Sequence, residues 1–237
     1  MKNLRLPAKI EQEIEAFIKS LKEIYQENLL SIILYGSASS GEFITGRSNL
    51  NILVILKSTE LLYLKPASKT VMRLKHLTPL FLTKEFITSS TDVFPIEFLD
   101  MQENYIVLYG QDVLKEIHVD LKNLRFQCEQ ELKLKLLNLK QLYLSLSNQP
   151  QNLKEPLFKA FNSILHILRN VLRLKGAQPH YQKKDLLKQV VEHLEIDISS
   201  WEKILSAKLK EIKLNKTETE KLFFVLVDNL EHIVDAL

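Results

Sequence analysis

Cysteine is almost missing: the 237 residues hold one, Cys128. No internal disulfide can form, which fits a reducing compartment. Glycine is scarce too, at five residues, so wherever glycines gather the backbone has a use for them. An excess of charge of one sign is also lacking. The 32 Lys+Arg stand against 29 Asp+Glu, a formal net charge of +3, which is too balanced to imply nucleic-acid or membrane binding through charge. No apolar run reaches the length of a membrane span without a charge. Met1-Lys2-Asn3-Leu4-Arg5-Leu6-Pro7 lacks the apolar stretch of a signal peptide, so a cytoplasmic protein is expected. The six histidines show no metal-ligand spacing. No Walker loop, Gly-x-Ser-x-Gly or paired-cysteine motif occurs.

What is present is an ordinary globular composition, 46% hydrophobic and 26% charged. The length suits one large or two small domains. Ile10, Ile14, Phe17, Ile18, Leu21 and Ile24 recur at spacings of three and four, predicting a helix over 7–27 that opens at Pro7. Leu29 to Tyr35 and Asn51 to Leu56 are continuous aliphatic runs, suited to strands covered on both faces. A helix interrupted by Pro66 is expected over 59–77, a strand over 80–82 and a short helix over 84–90. Further strands are expected over 96–99 and 105–109. This alternation implies an α/β sheet domain. After Asp120 the periodicity turns wholly helical, with helices expected over 121–147, 153–175, 183–194, 199–212 and 216–236. Ser199 and Thr217 are the expected N-caps, each followed three residues later by Glu202 or Glu220. The whole chain therefore reads as α+β. A mixed-sheet domain over 1–118 is followed by an all-α helical bundle over 119–237, the boundary lying near 115–121.

Three of the five glycines, Gly36, Gly41 and Gly46, lie between the two aliphatic strands. They belong to Leu34-Tyr35-Gly36-Ser37-Ala38-Ser39-Ser40-Gly41, continuing through Gly46-Arg47-Ser48-Asn49-Leu50-Asn51-Ile52-Leu53-Val54. This stretch resembles the signature of the DNA polymerase β-like nucleotidyltransferase superfamily: an apolar strand, Gly-Ser, a glycine-bearing spacer, then Ser-Asp-x-Asp opening a second apolar strand. The resemblance implies a polymerase β-like domain in the two-domain, kanamycin-type architecture. It also implies a nucleoside triphosphate as partner. Gly36, Ser37, Arg47 and Ser48 would contact that nucleotide, since a Gly-Ser turn lets hydroxyl and amide donors approach phosphates. In the family two aspartates at positions i and i+2 of the strand hold Mg²⁺, with a third carboxylate from a neighbouring strand. Here those two positions are Asn49 and Asn51, and the third is expected at Glu97.

Asparagine offers one neutral carbonyl oxygen where aspartate offers two anionic ones. Mg²⁺ prefers charged, hard ligands and gives up water reluctantly. The expectation is that no metal is held, or Glu97 alone if any, and that nucleotidyl transfer is weak or absent. Neutral asparagines repel a triphosphate less than aspartates do, so nucleotide binding without metal stays open. The reading is a catalytically degenerate nucleotidyltransferase-like protein with a nucleotide-binding, regulatory or scaffolding role. One alternative is an active Mg²⁺-dependent transferase adding a nucleoside monophosphate to a small molecule or protein. Another is a structural partner protein with a vestigial cleft, and the kanamycin-type resemblance leaves room for a homodimer.

In the C-terminal half, Arg169, Arg173, Lys175, Lys183 and Lys184 form a basic group that an anionic ligand or plain solvent would satisfy. The Arg-x-x-x-x-His spacing of a HEPN-type RNase is absent from either arginine. Cys128 falls in a helical period and reads as a packed small hydrophobe.

Overall fold

A computed structural model of the chain describes residues 6–36, 50–180, 182–194 and 198–237. It divides into two compact units, Met1–Asp120 and Leu121–Leu237.

The first unit opens with helix α1 (Ala8–Tyr25), whose start is set by the Pro7 carbonyl accepting from the amides of Ile10 and Glu11. A 3-10 turn (Gln26–Asn28) leads into strand β1 (Leu29–Tyr35), followed by β2 (Leu50–Leu56). The helix expected over 59–77 is instead two short pieces, α2 (Leu61–Leu64) and α3 (Ser68–Met72). A 3-10 turn containing Pro66 separates them, because proline lacks the amide a continuous helix would use. Strand β3 (Leu77–Thr83) and helix α4 (Lys84–Ser89) follow. The strand expected over 96–99 is a helix, α5 (Pro95–Glu103). Pro95 occupies its first turn, where a missing amide costs little, and buried Phe98 and Met101 stand three residues apart, a helical spacing. Strand β4 (Tyr105–Gly110) completes the unit.

The four strands form one mixed sheet in the order β3-β2-β1-β4. β1 pairs antiparallel with β2 and β4, and β2 pairs parallel with β3. Both faces are covered, which is why β1 and β2 read as unbroken aliphatic runs. On one face Ile32, Leu34, Ile52 and Val54 pack against Ile10, Ile14, Phe17 and Leu21 of α1. On the other, Ile33, Leu53 and Ile55 pack against Ile87 of α4, Phe98 and Met101 of α5, and Val113 and Leu114.

The second unit comprises, among the described residues, α6 (Leu121–Leu146), α7 (Lys154–Leu174), α8 (Lys183–Leu194), α9 (Ser199–Lys208) and α10 (Lys216–Asp235). Helix α7 is the centre: it packs on α6, α8, α9 and α10 and buries Leu157, Phe161, Ile164, Leu168 and Val171. Trp201 of α9 is fully buried edge-on to Phe161, ring centroids 6.0 Å apart. Cys128 is buried in α6. The two expected N-caps are corrected. Helix α9 starts at Ser199 itself, with Ile198 at the cap position and no side-chain cap. Helix α10 is capped by Asn215, not Thr217: Asn215 is extended, its side chain accepts from Glu218 N, and the Glu218 carboxylate accepts from Asn215 N. Among the described residues, no helix is long and apolar enough to cross a membrane.

Candidate functional site

The chemistry expected of this chain converges on the end of the sheet where β1 stops and β2 begins. Tyr35 closes β1 opposite Asn51 of β2. Gly36 then turns the chain with φ +80°, a conformation that disfavours any side chain. A Cβ placed on it would lie 3.4 Å from Asn51 Nδ2, so Asn51 stands directly against this turn. The Gly36 amide already donates to the carbonyl of Asn104, at 3.0 Å. What Gly36 can offer a ligand is therefore clearance and a turn, rather than the free amide the sequence suggested. Ser37, Arg47, Ser48 and Asn49 lie outside the described residues.

On its other side Asn51 is in register with Thr78 of the parallel strand β3, and Tyr35 is in register with Tyr105 of β4. By strand alternation Asn51 shares its face with Leu53 and Ile55, the face that also takes Tyr35 and Tyr105. A row Thr78, Asn51, Tyr35, Tyr105 thus crosses the sheet, exposed at Thr78 and partly buried at the other three. It is polar and carries no charge. Burial raises the Tyr35 hydroxyl above its ordinary pKa. Burial, together with the bond that Tyr105 Oη donates to Asp112 Oδ2 at 3.0 Å, raises Tyr105. Both phenols stay neutral at ordinary pH.

The third carboxylate is not where it was expected. Glu97 is on no strand: it sits exposed in the first turn of α5, where an acidic side chain complements the helix dipole. The strands flanking β2 are β1, Leu-Leu-Ser-Ile-Ile-Leu-Tyr, and β3, Leu-Thr-Pro-Leu-Phe-Leu-Thr. Neither holds an acidic residue, and nor do β2 and β4. Among the described residues no group of three or more His, Cys, Asp or Glu is arranged to hold a metal.

A feature the sequence did not suggest lies just before β3. Glu13 of α1 accepts from the amides of Lys75 (2.7 Å) and His76 (3.2 Å), and its second oxygen meets His76 Nδ1 at 2.6 Å. Burial alone would raise the Glu13 pKa; these bonds outweigh it and hold the carboxyl below its ordinary value. An ionised carboxylate only accepts, so Nδ1 carries the proton. The His76 carbonyl in turn accepts from the amide of Leu50, the residue before Asn51, at 2.8 Å. Partners 63 positions apart leave no local pattern to find.

The basic group of the second unit is largely engaged within it. The Arg173 guanidinium bonds the side chain of buried Asn170, whose amide bonds back to the His166 carbonyl at 3.2 Å. Lys183 donates to Asn162 Oδ1 at 2.8 Å, and burial lowers its pKa. Lys184 lies 3.8 Å from the Glu211 carboxylate.

No family model and no curated protein matches the chain. Ten chains of solved structures do. One is spectinomycin adenyltransferase AAD(9) from Enterococcus faecialis, in a crystal structure with ATP and spectinomycin. It is 12% identical, at a TM-score of 0.61, over 93% of this chain and 99% of that one. The likeness shows the fold: a mixed four-stranded sheet of the nucleotidyltransferase kind, followed by a helical domain.

Proposed function

We propose that this chain is a nucleotide-binding protein built on the nucleotidyltransferase fold, in which metal-dependent transfer has been lost. Its two compact units serve as a nucleotide domain and a helical domain. The observation that carries this reading is the uncharged row Thr78, Asn51, Tyr35, Tyr105 in a sheet whose four strands bear no carboxylate. Two-metal phosphoryl transfer needs anionic oxygens to assemble and neutralise its ions. An asparagine pair at 49 and 51 with Thr78 alongside supplies none. Binding without metal asks less: room beside the Gly36 turn, neutral donors and a cation or two for the phosphates. Ser37, Ser48 and Arg47 are assigned that role by position in the motif.

The solved neighbour is described with ATP, which supports a nucleotide as the ligand to test first. Incubation with each of the four radiolabelled nucleoside triphosphates, with Mg²⁺ or Mn²⁺, checks the claim. The reading expects no nucleoside monophosphate to be incorporated into the protein or into aminocyclitol acceptors. Incorporation with either metal would establish the active-transferase alternative instead.

A further inference from the structure

Helices α6 and α10 run antiparallel in the second unit: Lys140 pairs with Glu231, and Tyr143, further along α6, bonds Glu220, further back along α10. Between those two contacts the surface is hollow. The hollow has a volume of about 260 Å³ and is walled by Tyr143, Leu144, Phe223, Phe224 and Val227, with Lys140 and Asp228 as its two charged groups. Phe223 is buried and stacks on Tyr143, ring centroids 6.1 Å apart, while Phe224 stands edge-on to the same ring at 5.0 Å. The Tyr143 hydroxyl donates to Glu220 Oε1 at 3.2 Å, which fixes that ring. The aromatic wall is therefore built before any ligand arrives. Leu144 and Phe224 remain 76% and 42% exposed, although both are large and apolar. The two charges are not equivalent. Lys140 Nζ is held by the Glu231 carboxylate. Asp228, one turn beyond Phe224 on α10, has no hydrogen-bond or ion-pair partner among the described residues.

We propose that this hollow binds a small organic ammonium ion with an aromatic or branched apolar body. The ammonium group donates to the Asp228 carboxylate, and the body lies against Tyr143, Phe223 and Phe224, whose ring faces also attract a cation. The charges select this class. An anion would meet Asp228 with Lys140 already neutralised by Glu231. A neutral apolar occupant would strip water from Asp228 and give it no partner in return. An ammonium ion supplies that partner while its body covers the apolar wall. The volume lies below the usual range for drug-sized ligands, so the body is a single ring or a short branched chain. All seven residues belong to the helical unit, and the site stands apart from the nucleotide reading.

The probe is 2-phenylethylammonium, with 2-phenylethanol and phenylacetate as its neutral and anionic counterparts. Each is titrated into the full chain at low ionic strength and followed by NMR at assigned resonances. Wild type should bind the ammonium ion with a Kd on the order of 1 mM or below. The alcohol should bind roughly tenfold more weakly, the worth of one charged hydrogen bond, and phenylacetate more weakly still. The resonances that move should be those of Tyr143, Phe223, Phe224 and Val227. Asp228→Asn, an isosteric change at an exposed position, should bind the ammonium ion and the alcohol alike, at the wild-type alcohol level. Phe224→Ala should weaken both by roughly threefold or more and keep the preference for the ammonium ion. Ammonium binding that leaves these residues unmoved, a wild type that treats the three probes alike, or an Asp228→Asn protein that keeps the preference overturns the assignment. So does the absence of any binding up to about 10 mM. Should Phe224→Ala fail to fold, the Asp228→Asn comparison decides alone.

Discussion

Asn51 stands opposite Thr78 in the parallel pairing of β2 with β3. On this parallel neighbour of β2 the position beside Asn51 carries a threonine hydroxyl and no carboxylate. The lack of charge therefore extends beyond positions 49 and 51, since none of the four strands carries an acidic residue. Aspartates at 49 and 51 should raise Mn²⁺ affinity over wild type. Adding Thr78→Asp should raise it further, by roughly tenfold for a third anionic oxygen donor. Glu97→Gln should change nothing, because Glu97 lies on α5. Electron paramagnetic resonance of free Mn²⁺ reads all four proteins; equal affinity in wild type and the double variant contradicts the account.

Gly110 should prove the least replaceable glycine at the sheet. It has φ +79°, and a Cβ there would fall 2.0 Å from the Leu30 carbonyl oxygen, a backbone atom that cannot swing away. Gly110→Ala should cost more than about 3 kcal/mol or prevent folding. Gly36→Ala, where the nearest atom is a movable side chain at 3.4 Å, should cost only about 1 kcal/mol. Urea unfolding of the two variants gives the comparison.

The Glu13 clasp predicts an acid limb in stability. A carboxyl whose folded pKa lies below its unfolded value stabilises the fold above the unfolded value, and that contribution is lost as pH falls through the folded one. For Glu13 the loss begins as pH drops past the ordinary value of 4.5. Glu13→Gln should be less stable than wild type at pH 7 by about 1–3 kcal/mol. The difference should shrink on acidification below that value. Thermal unfolding at stepped pH tests the sign.

In the helical unit, Asn215→Ala removes the cap of α10 and should cost about 1 kcal/mol. Thr217→Ala, inside the first turn, should stay within about 0.5 kcal/mol of wild type. Equal losses would show that the cap assignment is wrong.

Much of the fold is legible in the sequence. The aliphatic runs mark β1 and β2 almost to the residue, and helical periodicity finds α1 and the five helices after Asp120. The failures have local causes. Residues 96–99 are apolar around one glutamate, which suits a strand or a buried helix equally, and only the packing of Phe98 and Met101 decides between them. Asn215 was overlooked because the cap depends on its extended backbone, which composition does not reveal. The asparagine pair could be read from order alone. Its partner Thr78 and the bond between Glu13 and His76 could not, because strand register and contacts over 63 residues are set by tertiary structure.

Isothermal titration of ATP, GTP, CTP and UTP into the wild-type protein, each with Mg²⁺ and with EDTA, tests the central claim most directly. The account predicts that one nucleotide binds with a Kd on the order of micromolar, and that Mg²⁺ leaves the value unchanged. Binding that tightens roughly tenfold or more with Mg²⁺ would contradict it, and would show that this uncharged sheet still holds a working metal site.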